Sequence, residues 1–117
     1  MDLEEIRHFC LQKQHVTESF PFDKSTLVFK VFDKMFLLVD LDSFPIRIAV
    51  KGDPEEIIEL KEKYDFISSA PHFNKKYWIN ITLEKYLDAD FIRDQIEKSY
   101  SEVLKKIPKK TLNKLYI

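Results

Sequence analysis

The segment PHFNKKYW, residues 71–78, places two ammonium groups beside two aromatic rings. Lysine attracts phosphate as a point charge and aromatic rings stack on nucleobases, so this combination is typical of nucleic-acid-binding surfaces. If the segment is extended, neighbouring side chains point to opposite faces, and only one lysine and one ring can reach the same partner. We predict Lys75, Lys76 and Tyr77 as contact residues, while Trp78 is either a core residue or a second contact. The alternative is a polar hairpin tip anchored by one buried aromatic ring.

A second basic segment lies at the carboxy-terminal end of the chain. Residues 103–117 contain Lys105, Lys106, Lys109, Lys110 and Lys114 and no acidic residue. The dipole of a helix stabilises lysines near its C-terminus, which accounts for some of these residues but does not require five. The net charge of the chain is −1, so a polyanionic partner would have to meet a local patch rather than the molecule as a whole. We predict Lys109 and Lys110 as phosphate contacts.

Catalytic and metal-binding patterns are not found in the sequence. Cys10 follows Phe9 on the apolar side of a predicted helix, so we interpret it as a buried hydrophobic residue rather than a nucleophile. The three histidines at positions 8, 15 and 72 lack metal-ligand spacing. One glycine, Gly52, excludes a glycine-rich phosphate loop. We therefore expect no enzyme activity, no cofactor and no metal.

The sequence also indicates a cellular setting. A single cysteine cannot form an internal disulfide, which fits a reducing compartment. The acidic start MDLEEIRHFC differs from a signal peptide, and the apolar runs are too short to cross a bilayer. We expect a cytoplasmic protein without a membrane partner.

Helix signals appear at three places. Apolar residues from Leu3 to Cys10 follow a helical period, with Asp2 as the predicted cap and Glu5 as its capping-box partner. In GDPEEIIELKEKY, Asp53 caps a second helix and Pro54 takes its first position. A third helix begins near Asp88 and ends before Pro108. Its inner stripe consists of Ile92, Ile96, Tyr100, Val103 and Ile107.

Strand signals fill the space between these helices. Residues 18–25 are predicted as a turn, followed by strands over Thr26–Phe32, Met35–Leu41 and 44–51, with short turns at Asp33–Lys34 and Asp42–Ser43. Residues 66–69 and Tyr77–Leu83 are predicted as a further strand pair. The order predicts an α+β fold in which helices cover one face of an antiparallel sheet, built as a single domain over residues 1–117.

Several segments together resemble the MmcQ/YjbR family. They are FPF (20–22), VFKVFDKMF (28–36), VKGDPEE (50–56), HFNKKYW (72–78) and the late SY…V…IPKK (99–110). This resemblance implies a frataxin-like (CyaY-like) fold with two projecting hairpins, described as a double wing, and a DNA-binding role without a cofactor. The motif residues carried over by position are Lys30, Lys34, Lys51, His72, Asn74, Lys75, Lys76, Trp78, Lys109 and Lys110.

The chain departs from the family pattern at three positions. Pro71 stands where the family usually has an aromatic residue, Tyr77 where it has a second histidine, and Asp23 where it has a glycine. The first helix offers only Asp2, Glu4 and Glu5, so the iron handling of frataxins is not implied.

Two functional hypotheses follow from these observations. The first is a weak, salt-sensitive DNA-binding module with little sequence specificity, whose contact residues are Lys75, Lys76, Tyr77, Lys109, Lys110, Lys30 and Lys51. The second is a small-ligand or protein-interaction module, with a polar cleft formed by His72, Asn74, Tyr77 and Trp78.

Overall fold

The computed structural model describes residues 1–113 and contains six strands and four helices in that range. Lys114, one of the lysines of the basic segment, lies outside the described residues. In chain order the elements are α1 (Leu3–Leu11), β1 (Val16–Ser19), β2 (Thr26–Val31), β3 (Lys34–Asp40), β4 (Arg47–Lys51), α2 (Pro54–Lys63), β5 (Ile67–Ser69), β6 (Trp78–Thr82), α3 (Ala89–Leu104) and α4 (Lys109–Leu112).

The six strands form one sheet in the order β1-β2-β3-β4-β6-β5, and every neighbouring pair is antiparallel. This confirms the α+β class and the antiparallel sheet. Successive strands run in opposite directions, so the β2–β3 turn, the end of β4 and the start of β6 lie at one end of the sheet. The loops 20–25, 41–46 and 83–88 lie at the other end.

The main core lies between the sheet and the helices. Its fully buried side chains include Ile6 of α1, Ile57 of α2 and Ile92 and Ile96 of α3, which meet strand residues such as Phe29 and Ile48. The predicted stripe of the last helix is buried except at Tyr100, which is half-buried and donates its hydroxyl hydrogen to the Gln14 carbonyl at 3.1 Å. Ile107 is buried but follows the end of α3.

A β-bulge in the centre of the sheet is held by one buried serine. Phe29 pairs with Leu37 and Lys30 pairs with Met35, so Phe36 is the extra residue of β3. The Ser99 hydroxyl of α3 donates to the Phe36 carbonyl at 2.5 Å and accepts from the backbone N–H of Lys51 at 2.8 Å. Ser99 therefore connects the long helix to two neighbouring strands at the end of the sheet that carries Lys51.

The helix starts follow the predicted capping chemistry. Asp2 and Glu5 form the expected capping box of α1. The Asp53 carboxylate accepts from the N–H groups of Glu55 and Glu56, with Pro54 in the first turn of α2. Asp88 caps α3 by accepting from the N–H of Asp90.

Two local predictions were wrong. The predicted turn over residues 18–25 begins inside β1, an edge strand whose polar residues gave no strand signal. Its Glu18 accepts two hydrogen bonds from Arg7 of α1, at 2.5 and 2.9 Å. The turn assigned to Asp33–Lys34 is centred on Phe32 and Asp33, which both have positive φ, and Lys34 already belongs to β3. Positive φ is disfavoured for a residue of this type, and the Phe32 ring stacks on His15 with centroids 4.5 Å apart.

Candidate nucleic-acid interface

Three lysines from distant parts of the chain meet at one end of the sheet. Lys34 at the start of β3, Lys51 at the end of β4 and Lys106 just after α3 line a notch of about 270 Å³. Met35 and Val103 supply its apolar walls, and no carboxylate of residues 1–113 lines it. We call this surface, together with Lys76, the basic end.

Lys76 joins the basic end through Tyr77. The Nζ atoms of Lys51 and Lys76 lie 5.9 and 5.7 Å from the centre of the Tyr77 ring, within the range of a cation–π contact. The Tyr77 carbonyl accepts a hydrogen bond from the N–H of Gly52 at 2.8 Å, which fixes this loop to the end of β4. Tyr77 keeps 37% of its surface exposed. A solvent-facing aromatic ring thus lies between two ammonium groups.

The loop that carries Lys75 and Lys76 is shaped by its own residues. The Asn74 side-chain oxygen accepts from the N–H of Lys76 at 3.0 Å, and this hydrogen bond closes the bend. Phe73 packs on Trp78 with ring centroids 5.0 Å apart, and both rings cover an apolar patch of the sheet. Trp78 is therefore the half-buried anchor, and Tyr77 is the exposed ring.

The other lysines predicted as DNA contacts lie close to the basic end, either as near neighbours in the chain or on an adjacent strand of the sheet. Lys75 is exposed next to Lys76, and Lys109 and Lys110 are exposed on α4. Three peptide units limit the distance between the Cα atoms of Lys106 and Lys109 to about 11 Å. Lys30 is half-buried and lies across from Met35, a wall of the notch.

Carboxylates border the basic end on its helical side. Lys105 pairs with Glu102 at 2.9 Å, an interaction that raises the pKa of the Lys105 ammonium group. Lys98 lies 3.3 Å from Asp94 and 3.8 Å from Glu56. Within residues 1–113, Lys34, Lys51, Lys76 and Lys106 form no ion pair within 4.0 Å. Their charges are thus available to an external anion.

The four residues predicted to form a polar cleft do not line one cavity. His72 borders a pocket of about 390 Å³ on the sheet face away from the helices, whereas Asn74, Tyr77 and Trp78 do not line it. Sequence reasoning missed Lys106 and gave Lys34 only as a motif residue. In the sequence, Lys106 belongs to the basic segment 103–117 and Lys34 to the predicted Asp33–Lys34 turn. Neither pattern shows which lysines come together in the fold.

Cys10 has the environment of a core residue rather than of a nucleophile. Its side chain is fully buried, and this burial raises the pKa of its thiol to about 12. Within residues 1–113, no group of three or more His, Cys, Asp or Glu side chains could hold a metal ion. No helix in the described range is long and apolar enough to cross a membrane.

Comparisons with known proteins identify a family and a protein to which the chain is similar. The model of the YjbR family matches residues 11–102. The uncharacterized protein YbdF of Escherichia coli O157:H7 is 29% identical over 108 residues, covering 92% of this chain and 88% of YbdF.

Two crystal structures share the fold. Deinococcus radiodurans protein DR2400, with domain DUF419, superimposes with a TM-score of 0.90 at 35% identity, over 98% of this chain and 88% of that one. A Pseudomonas syringae protein superimposes with a TM-score of 0.72 at 26% identity, over 85% of this chain and 96% of that one.

Proposed function

The chain belongs to the YjbR family, and we propose that it is a cytoplasmic protein that binds DNA through the basic end without catalysing a reaction. The observation that supports this proposal is the convergence of Lys34, Lys51 and Lys106 on one notch, which has no carboxylate in its lining among the described residues. Bringing like charges together costs free energy unless an anion neutralises them, so such a notch favours phosphate.

The shape of the basic end supports a DNA backbone as the ligand. We assign the two wings implied by the family resemblance to the β2–β3 hairpin, with Lys34 at its turn, and to the β5–β6 connection, with Lys75 and Lys76. Both turns lie at the same end of the sheet because all strands are antiparallel. Lys34, which follows Asp33 at the first hairpin, and the lysines of the second hairpin can follow successive phosphates of one strand beside the basic notch. Tyr77 offers a ring for stacking or for packing in a groove.

The expected binding is weak and depends on salt. Four phosphate contacts from Lys34, Lys51, Lys76 and Lys106 predict a slope of about −3 to −4 for log K against log salt concentration on duplex DNA. Lysine point charges position a complex but read little sequence, so dissociation constants of about 10⁻⁴ to 10⁻⁶ M are expected.

The experiment compares two double variants with the same change of net charge. Lys34→Ala with Lys106→Ala removes two charges from the basic end. Lys24→Ala with Lys85→Ala removes two exposed charges from loops at the opposite end of the sheet. Fluorescence anisotropy of a labelled duplex, titrated at several salt concentrations, gives the affinity and the slope for each protein.

We expect the first variant to lose about two units of the salt slope and the second to keep the wild-type slope. A wild-type protein that does not bind at low salt would refute the proposal. Equal losses in the two variants would also refute it, because they would reduce binding to an effect of net charge. Circular dichroism spectra verify that both variants are folded.

A further inference from the structure

The face of the sheet opposite the helices holds a second concave surface, which the DNA-binding proposal does not use. Val28, Leu38 and Ala49 form an apolar patch there on three neighbouring strands. Phe73 and Trp78 cover part of this patch, and the uncovered part forms the pocket of about 390 Å³ with Leu38 and Ala49 among its lining. This pocket therefore has an apolar floor.

The rim of the pocket is negatively charged. Asp23, Asp40 and Asp42 line the pocket together with one guanidinium group, that of Arg47, which donates to Asp40 at 3.1 Å. Asp23 and Asp42 come from adjacent loops, since the N–H of Leu41 donates to the Ser25 carbonyl at 2.8 Å. Three carboxylates against one guanidinium group favour a cationic ligand.

The carboxylates of the pocket rim differ in the number of hydrogen bonds that they accept from the protein. Asp23 accepts from the backbone N–H groups of Ser25 and Thr26, and these hydrogen bonds lower the pKa of its carboxyl group and keep it ionised. The Asp40 carboxylate accepts from the backbone N–H of Asp42 at 3.0 Å and from the Arg47 guanidinium at 3.1 Å. Within residues 1–113, the side chains of Asp42 and Asn80 make no hydrogen bond. Both groups line the pocket and are free to meet a ligand.

The residues that line the pocket favour an organic cation over a metal ion. The described residues hold no group of His, Cys, Asp or Glu side chains suited to a metal ion, and the Arg47 charge lies on the same rim. The apolar floor adds affinity only for a ligand that has an apolar part.

We propose that this pocket binds a small organic cation, a primary ammonium group joined to an apolar body. The ammonium group lies against the Asp42 carboxylate, beside the Asp40–Arg47 pair, and donates to the side-chain oxygen Oδ1 of Asn80. The body rests on Leu38 and Ala49 and against the Phe73 ring. This site is separate from the basic end and does not depend on DNA binding.

The test uses two probes with the same ring and opposite charge, 2-phenylethylamine and phenylacetate. Titrations followed by amide chemical shifts give both the affinity and the place of binding. We expect 2-phenylethylamine to bind with a dissociation constant of about 1 mM and to shift Leu38, Ala49 and Asn80. Phenylacetate should bind at least about tenfold more weakly, because the rim repels its carboxylate.

Three variants make the result specific to this pocket. Asp42→Asn removes one rim charge and should weaken 2-phenylethylamine binding about threefold. Ala49→Leu fills the floor and should abolish binding. Glu59→Gln removes an exposed charge on α2, on the helical face, and should leave binding unchanged. Equal binding of both probes, an unchanged affinity in Asp42→Asn, or shifts confined to other surfaces would overturn the proposal.

Discussion

Ser99 shows how one buried hydroxyl group supports the basic end. It satisfies the buried Phe36 carbonyl at the bulge and the partly buried N–H of Lys51, so its removal takes a partner from both backbone groups. We predict that Ser99→Ala lowers the free energy of unfolding by about 2 kcal/mol, measured by urea denaturation. Ser101→Ala, at an exposed position of the same helix, is the control and should change stability by less than about 0.5 kcal/mol. Equal effects of the two substitutions would contradict the role assigned to Ser99.

Cys10 gives stability a pH dependence of known sign. Burial raises the pKa of its thiol from about 9 to about 12, so between these values the unfolded chain releases a proton that the folded chain keeps. The free energy of unfolding therefore falls as pH rises from about 9 to about 12, with a contribution that approaches 1.4 kcal/mol per pH unit.

The measurement compares urea denaturation of the wild type and Cys10→Ala across this pH range. The difference between the two stabilities should shrink as pH rises, because Cys10→Ala lacks the titrating thiol. A difference that stays constant with pH would contradict the assignment.

At the scale of elements, one aromatic pair packs the loop 70–77 onto the open face of the sheet, in addition to the hydrogen bond between Gly52 and Tyr77. Phe73 packs on Trp78, the only tryptophan of the chain, so the fluorescence of this residue reports on the loop. We predict that Phe73→Ala moves the emission maximum of Trp78 to longer wavelength and destabilises the fold by about 1 kcal/mol or more. Phe22→Ala removes a ring that is 63% exposed and should change neither quantity. An unchanged emission maximum in Phe73→Ala would show that the pair does not hold the loop.

Elements with strong local signals could be predicted from the sequence, whereas those that depend on a neighbour could not. The caps of α1, α2 and α3 involve residues two or three positions apart, so the printed sequence contains the whole motif. Strand β1 is a polar strand that pairs with β2, and its Glu18 is held by Arg7 of α1, a contact between separate elements. Phe32 at the β2–β3 turn likewise stacks on His15, a contact that the local sequence does not show.

The candidate site also has a part that could be predicted from the sequence and a part that depends on the fold. Composition indicated two basic segments, and the pairing of lysine with an aromatic ring indicated Tyr77. The notch requires Lys34, Lys51 and Lys106, which are separated by tens of residues and meet only through the strand order and the placement of α3. No periodicity in the sequence encodes that meeting.

At the scale of the molecule, a net charge of −1 conceals a separation of charge along the sheet. The basic end carries Lys34, Lys51, Lys76 and Lys106, and the opposite end carries the acidic rim of the open-face pocket. This charge distribution is what the DNA-binding proposal requires, because a polyanion attracts only the basic end.

The most direct measurement is a residue-resolved map of DNA contact, obtained from amide chemical shifts during titration with a short duplex at low salt. The account predicts shifts at Lys34, Lys51, Lys106 and residues 75–78 that decline together as salt is added, with residues 40–42 unaffected. Shifts centred on the acidic end of the sheet, or no shifts at any salt concentration, would contradict it.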